Sequence, residues 1–200
     1  MSSNAKRFLD LFKGFTGAHG QTEVLKNQRN GKQQAKYVIV REPLTVDLVQ
    51  SHLDGKLGIG SIPIDENNQC LFGALDIDDY NLDLPKIAKS IKRLKLPLTV
   101  CRSKSGGAHF YIFLKEKISA AELRDRLSEF ASALGFGQCE IFPKQAEVIV
   151  ERGDVGNFIN LPYFNSTHTT RYAITSNGDD ILLEDFLTKA EKNRISSQQL

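Results

Sequence analysis

The sequence predicts a mixed α+β fold built around a split β-α-β core. From residue 70 the patterns run strand, helix, two hairpin strands, helix, strand, the order of a split β-α-β unit with its helices on one side. The run LFGALDID is apolar on both faces at first: Leu71, Gly73, Leu75 and Ile77 point one way, Phe72, Ala74, Asp76 and Asp78 the other. Such a strand belongs in the middle of a sheet covered on both sides. The run SAAELRDRLSEFASALG is a marked helix, with Ser119 and Glu122 as a capping box and Gly135 as its stop.

The remaining elements follow in order. Phe8, Leu11, Phe12 and Phe15 stand at helical spacing behind a Ser or Asn cap, so SSNAKRFLDLFKGF reads as a short helix. Residues 16–36, rich in Gly, Gln, Asn and Lys and without periodicity, read as a long loop. KYVIV is a strand, and TVDLVQSHLDG a helix with Thr45 as N-cap and Gly55 past its end. LGIGSIPI and CLFGALDID read as strands around the turn DENN, a hairpin signal. DLPKIAKSIKRL is a helix with Pro85 in its first turn. LPLTVCRS and HFYIFL are strands joined by a Ser-Gly-Gly turn. QCEIF, EVIVE, FINLPYF and RYAI read as short strands, LEDFLTKAEKN as a closing helix, and NRISSQQL as a frayed terminus or the start of a linker.

Composition bounds the function. At 40% apolar and 25% charged residues the chain is ordinary globular protein. The N-terminus is too polar for a secretory signal and no apolar run approaches a membrane span, so a cytoplasmic protein is expected. Cys70, Cys101 and Cys139 lie scattered in strand-like runs, which points to free thiols rather than zinc or disulfides. A formal charge of +2 does not announce a nucleic-acid binder. Local clustering says more: Lys26, Arg29, Lys32 and Lys36 fall together, and Lys86, Lys89, Lys92, Arg93 and Lys95 follow the DID strand. Such runs are either solvated faces or phosphate contacts.

Asp76 and Asp78 leave the sheet side by side. Their repulsion is answered by Arg or Lys, by protonation of one, or by a divalent cation that both coordinate; solvated aspartates at a strand end are the plainer alternative. In CRSKSGGAHFYIF the turn glycines Gly106 and Gly107 let backbone amides approach a ligand. Ser105 offers a hydroxyl, Arg102 and Lys104 offer charge, and His109 opens the next strand, an arrangement that suits a triphosphate as well as an ordinary hairpin. In CEIFPKQ, Glu140 is an acid on an apolar strand, which calls for a partner or a metal, and Lys144 lies just beyond it.

Taken in order, DID at 76–78, SGGAH at 105–109, EIFPKQ at 140–145 and GNFINLPYFN at 156–165 resemble the successive motifs of the archaeo-eukaryotic primase superfamily, nearest to the primase-polymerases of TOTE conflict systems and of CRISPR systems. The resemblance implies a catalytic core of two α/β modules, the second RRM-like, with the active site in the cleft between them. On that pattern residues 1–69 form an N-terminal module, 70–175 the catalytic module and 176–200 a C-terminal helix and tail, the whole being one domain of a longer protein. Asp76 and Asp78 match the family's D-x-D metal ligands, Glu140 its third acid, and His109 the histidine that contacts nucleotide phosphates. The family's second motif is commonly S-x-H, whereas here Gly106, Gly107 and Ala108 separate Ser105 from His109. Asn157 and Asn160 resemble polar positions of the nucleotide-binding strand, and Tyr163 is a candidate for stacking on sugar or base. His168 and Arg171 are further phosphate candidates, His52 a helix-surface or core histidine, and His19 matches no motif.

The expected activity is template-directed nucleotidyl transfer, as primase, DNA polymerase or both, with two Mg²⁺ or Mn²⁺ ions as cofactors. The expected partners are single-stranded DNA template and primer, ribo- or deoxyribonucleoside triphosphates, and a helicase, nuclease or CRISPR-associated proteins, with no membrane. Two other classes compete: a non-catalytic single-strand-binding module, and a metal-dependent nuclease.

Overall fold

The computed structural model describes residues 3–29 and 32–200, and over 23–29 and 32–35 the backbone alone. Helix α1 (Asn4–Leu11) starts where the Ser3 hydroxyl accepts a hydrogen bond from the Lys6 amide, and it buries Ala5, Phe8 and Leu11. Strands β1 (His19–Arg29) and β2 (Lys32–Val40) follow, then α2 (Val46–Leu53), capped by Thr45. The expected strand KYVIV is the second half of β2, and most of the stretch expected to be a loop joins it in a long antiparallel hairpin, paired from His19 with Val40 to Arg29 with Lys32. Its Gln-, Asn- and Lys-rich side chains carry no apolar alternation, and a ladder held by backbone hydrogen bonds needs none. Of the basic cluster expected there, Lys36 is exposed, and the side chains of Lys26, Arg29 and Lys32 lie outside the described residues.

Strand β3 (Gly58–Ser61) pairs with β1, and β4 (Gln69–Ile77) lies in a different sheet. The hairpin expected between them is correct only at its turn, where Ile64 bridges Cys70 and the Asp65 amide donates to the Gln69 carbonyl at 2.8 Å. Burial works against the Asp65 carboxylate, but the Lys117 ammonium, 2.6 Å away, and the amides of Asn67 and Gln69 hold its pKa below the usual range. The chain therefore changes sheets across a pinned turn.

Then come α3 (Leu84–Arg93), capped by Asp83, β5 (Thr99–Arg102), β6 (Ala108–Ser119), α4 (Ala120–Ala133), capped by Ser119, and β7 (Glu140–Phe142). The expected strand EVIVE is instead irregular chain leading into a 3-10 turn at Val150–Arg152. Strands β8 (Ile159–Asn160), β9 (Ala173–Ile174) and β10 (Asp180–Ile181) are short, and α5 (Leu183–Lys192) closes the series. Among the described residues one sheet has the order β2-β1-β3-β8 and the other β10-β9-β5-β6-β4-β7. In the second sheet β4 and β6 are central, as the split β-α-β reading requires, and β8 returns from that half of the chain to complete the first sheet.

Both faces of the second sheet are covered. On one, Leu75, Ile77, Phe110 and Ile112 pack with Ala88 and Ile91 of α3 and with Leu123 and Leu127 of α4. On the other, Phe72, Ala74, Tyr111 and Phe113 pack with Phe8 of α1, Phe12 just past its end, Val49 of α2 and Phe186 of α5. The terminal stretch expected to fray is pinned instead. Strand β5 pairs with β6 only as far as Tyr111, and beyond it Ile195 donates to the Phe113 carbonyl (3.1 Å) and accepts from the Lys115 amide (2.9 Å). No helix among the described residues is long and apolar enough to cross a membrane.

Candidate active site

The site grows from the register of the second sheet. Asp76 on β4 stands opposite His109 on β6 and opposite Glu140 on β7. Residues directly opposed in antiparallel strands share a face, so the three form one row. Asp78 follows on that face just past the strand, where it is exposed. Segments separated by the α3-β5 and α4 excursions are thereby brought to one strand end, as their likeness in motif order implies.

Close contacts position the histidine in the row. His109 Nε2 lies 3.2 Å from Asp76 Oδ1, and its Nδ1 lies 2.8 Å from the Tyr111 hydroxyl. That hydroxyl donates to the Asn160 carbonyl at 3.0 Å, so its oxygen is free to accept from Nδ1–H. This leaves Nε2 facing the carboxylate. Tyr111, which sequence reasoning missed, therefore orients the histidine and ties the second sheet to β8 of the first. Its signal was present, since residues two apart on a strand share a face.

The acids sense one another. Partial burial raises the Asp78 pKa above the usual carboxylate range, and Asp76 and Glu140 add to the rise, while His109 and Lys144 oppose it. Lys144 Nζ lies 2.7 Å from Glu140 Oε2 and over the Phe142 ring. Among the described residues no three His, Cys, Asp or Glu side chains are grouped as a ready metal site. The donor chemistry nonetheless fits a hard cation, because Mg²⁺ commonly binds through one or two carboxylates with substrate phosphates completing its shell, and Asp76 and Asp78 supply that pair.

The Ser-Gly-Gly turn rests on the end of β4. A Cβ on Gly107 would come within 2.1 Å of the Ile77 carbonyl oxygen, and Gly106 has φ +99°, so side chains are excluded where the two motifs touch. The Ser103 amide closes the turn onto the Gly107 carbonyl at 2.9 Å. Ser105 is exposed, with its hydroxyl 3.3 Å from that of Ser103. Lys104 reaches over the Tyr37 ring of β2, 5.7 Å from its centroid.

Other expected residues lie elsewhere. Arg102 stands opposite Ala108, which is buried in the cluster on the far face, so it points away from His109 and lies against Tyr172. Asn157 is exposed and bonded to Gln145, beside the Glu140 segment, while the Asn160 side chain accepts from Thr22 at 2.8 Å and its carbonyl holds Tyr111. Tyr163 does not stack on a ligand: it is 1% exposed, and its hydroxyl donates to the Ile181 carbonyl. His52 is a core histidine whose pKa burial lowers to about 4, and His19 is buried with Nδ1 2.7 Å from the Glu42 carbonyl oxygen. His168 is exposed, outside the row. The free cysteines Cys70 and Cys101 are buried and Cys139 half-buried; burial pushes the Cys70 thiol up to about 12.

A row of acids and a histidine, with a glycine turn packed against the acidic strand end, therefore lies on the second sheet of a mixed α+β fold. Residues 12–187 match the archaeo-eukaryotic primase domain of TOTE conflict systems, and the chain belongs to that family. No curated protein shows significant similarity to the chain.

Proposed function

We propose that this domain joins nucleotides on a single-stranded DNA template, as a DNA primase, a DNA polymerase or both. The observation that carries the reading is the row Glu140, Asp76, His109 with Asp78 beside it, assembled by strand register from separate segments of the chain. In this reading Asp76 and Asp78 hold Mg²⁺ or Mn²⁺, with Glu140 as the third acid once Lys144 yields it. The metal, when bound, supplies Lewis-acid stabilisation of the charge on the transferred phosphoryl group and lowers the pKa of the attacking 3′-hydroxyl. His109 and the turn at Ser105, Gly106 and Gly107 orient the incoming nucleotide's phosphates, and Tyr111 holds His109 in place. Lys144 offers a charge to phosphate on leaving Glu140.

The competing binding module gains nothing from clustered carboxylates facing a polyanion, and a nuclease has no need of a phosphate-cradling turn. The test is incorporation of labelled nucleotides on primed and unprimed single-stranded DNA, with separate ribo- and deoxyribonucleotide pools and with Mg²⁺ or Mn²⁺. Metal-dependent extension is the expected result. DNA degradation, or binding without extension under either metal, would overturn the reading.

A further inference from the structure

Strand β5 has an open side at the end away from the Ser-Gly-Gly turn. Strand β9 pairs with it only at Cys101 with Ala173 and then pairs with β10. Where the two strands part, a cavity of about 470 Å³ opens between α3 and α5, with an apolar floor of Ile91, Leu98, Val100, Ile174, Ile181 and Phe186. A second cavity, of about 420 Å³, shares Leu96, Leu98, Thr99 and Asn193 with the first and reaches the pinned tail at Ile195. The two make one groove along the end of the sheet.

Every charged side chain that lines the groove is a cation. Lys92 of α3 and Lys189 of α5 stand on the two walls of the first cavity, and Lys115, Lys192 and Arg194 line the second. Among the described residues none of them has an ion pair with a carboxylate. Glu191, which feels the Arg194 charge, is held by Arg7, and Glu116, beside Lys115, accepts from the Ser197 amide at 2.6 Å. In a chain of net charge +2 this is a local excess, and like-charge repulsion penalises it until an anion joins the cations. Of the basic run that follows the DID strand, Lys92 is the member that lines the groove, while Lys86, Lys89, Arg93 and Lys95 are exposed outside it.

The groove suits a peptide better than a nucleic acid. Single-strand sites add rings on which bases stack, and the rings here, Phe113 and Phe186, are only 4% and 1% exposed. Free phosphate would gain nothing from the apolar floor. An extended peptide can add beside an open strand, sending neighbouring side chains to the α3 and α5 walls in turn. The chain's own tail already does this at the same end of the sheet, where Ile195 bonds to the backbone of Phe113 and Lys115.

We propose that the groove between α3 and α5 receives an extended segment of another protein, made of aliphatic and acidic residues. Its aliphatic side chains lie on the floor of the first cavity, and its carboxylates meet Lys92, Lys189, Lys115, Lys192 and Arg194. Asp76 and Glu140 lie across the sheet on β4 and β7, so docking leaves the row of acids open and does not depend on the nucleotidyl-transfer reading.

The experiment uses a fluorescein-labelled peptide of about eight residues, a strand's length, repeating Val-Ile-Glu-Glu, beside its Gln-for-Glu counterpart and oligo(dT). Wild type is compared with the double variant Lys92→Glu, Lys189→Glu and with a control of equal charge on the same helix, Lys89→Glu, Arg93→Glu. Wild type should bind the Glu peptide about tenfold or more tightly than the Gln peptide, with affinity falling as salt rises. The groove variant should lose about tenfold or more, because two attractions become repulsions, and the control less than about threefold. Both variants should melt and extend primers as wild type does. In amide NMR spectra the peptide should shift Leu98, Thr99 and Ile174 and leave Asp76 and His109 in place. Failure of the Glu peptide to bind, equal binding of the Gln peptide, or shifts confined to the row of acids would overturn the proposal. Two further results would also remove it: oligo(dT) shifting the groove amides and losing affinity in the groove variant, which makes this a nucleic-acid site, and self-association that only the groove variant abolishes, which seats a second copy there.

Discussion

Asp78 shows what a single residue costs this fold. Its pKa is raised in the folded chain by burial and by the neighbouring Asp76 and Glu140, so the folded state binds its proton more tightly than the unfolded state does. For a raised pKa, that contribution is fully present below the unfolded value and is lost as pH rises through the folded one. In metal-free buffer Asp78→Asn should therefore melt above wild type at neutral pH, with the gain shrinking as pH falls through the raised folded-state pKa and gone below the ordinary carboxylate value. Thermal melts across pH check this, and a variant that melts lower at neutral pH contradicts it. Glu140 bears instead on rate: Glu140→Gln should slow single-turnover extension roughly a hundredfold or more, the scale of electrostatic stabilisation of a transition state, while nucleotide affinity changes little. The role of Tyr111 is to hold His109. Removing its buried hydroxyl in Tyr111→Phe strands the Asn160 carbonyl and His109 Nδ1 and should cost about 1–3 kcal/mol in denaturant titration, with triphosphate binding weakened more than template binding. Asp76, Asp78, Glu140 and His109 were legible because a polar residue in an apolar strand needs a reason. Tyr111 was not, because an apolar reading accounted for it equally well.

Elements were legible where side chains enforce them and obscure where backbone pairing alone does. The cap residues Ser3, Thr45, Asp83 and Ser119 each accept an amide hydrogen bond at the start of α1, α2, α3 and α4, and these helices were readable from that chemistry and their apolar spacing. The strand KYVIV was legible and forms the second half of β2, whereas β1 and the start of β2 were read as a loop because their polar sequence carries no period. EVIVE misled in the opposite direction: its alternation mimics a strand, yet it ends in a 3-10 turn. The tail from Asn193 looked frayed because the open edge of β6 that receives Ile195 is a tertiary fact. The same scale offers a test of the contact between two motifs. A methyl group at Gly107 has no room against the Ile77 carbonyl, so Gly107→Ala must shift the turn away from the end of β4. It should lower stability by about 1–3 kcal/mol, as overpacking does, and should depress extension by more than that instability explains. Extension measured well below the melting temperature separates the two effects.

At the scale of the whole molecule, the question is whether two sheets make one cooperative unit. The first sheet takes β8 from the half of the chain that builds the second, and Tyr111 and Asn160 join them at the site. Phe12 binds them in the core. It is fully buried, its ring meets Phe72, Tyr111 and Phe113 edge-on at 5.2–5.3 Å, and its carbonyl accepts from Ser61 of β3 at 2.7 Å. A sequence shows that Phe12 is apolar and on a helical stripe, but not that it sits where both sheets converge, because that follows from the chain's crossing and return. Phe12→Ala should destabilise by about 3–5 kcal/mol, the cost of truncating a buried phenylalanine and leaving a cavity. If the two sheets share one core, the loss should appear as a single transition moved to lower temperature, with far-ultraviolet and tyrosine near-ultraviolet dichroism coincident. Because the ring also buttresses Tyr111, triphosphate binding below the melting point should weaken as well. Two separated transitions would mean that the sheets fold independently and that the row of acids, complete within the second sheet, does not depend on the first.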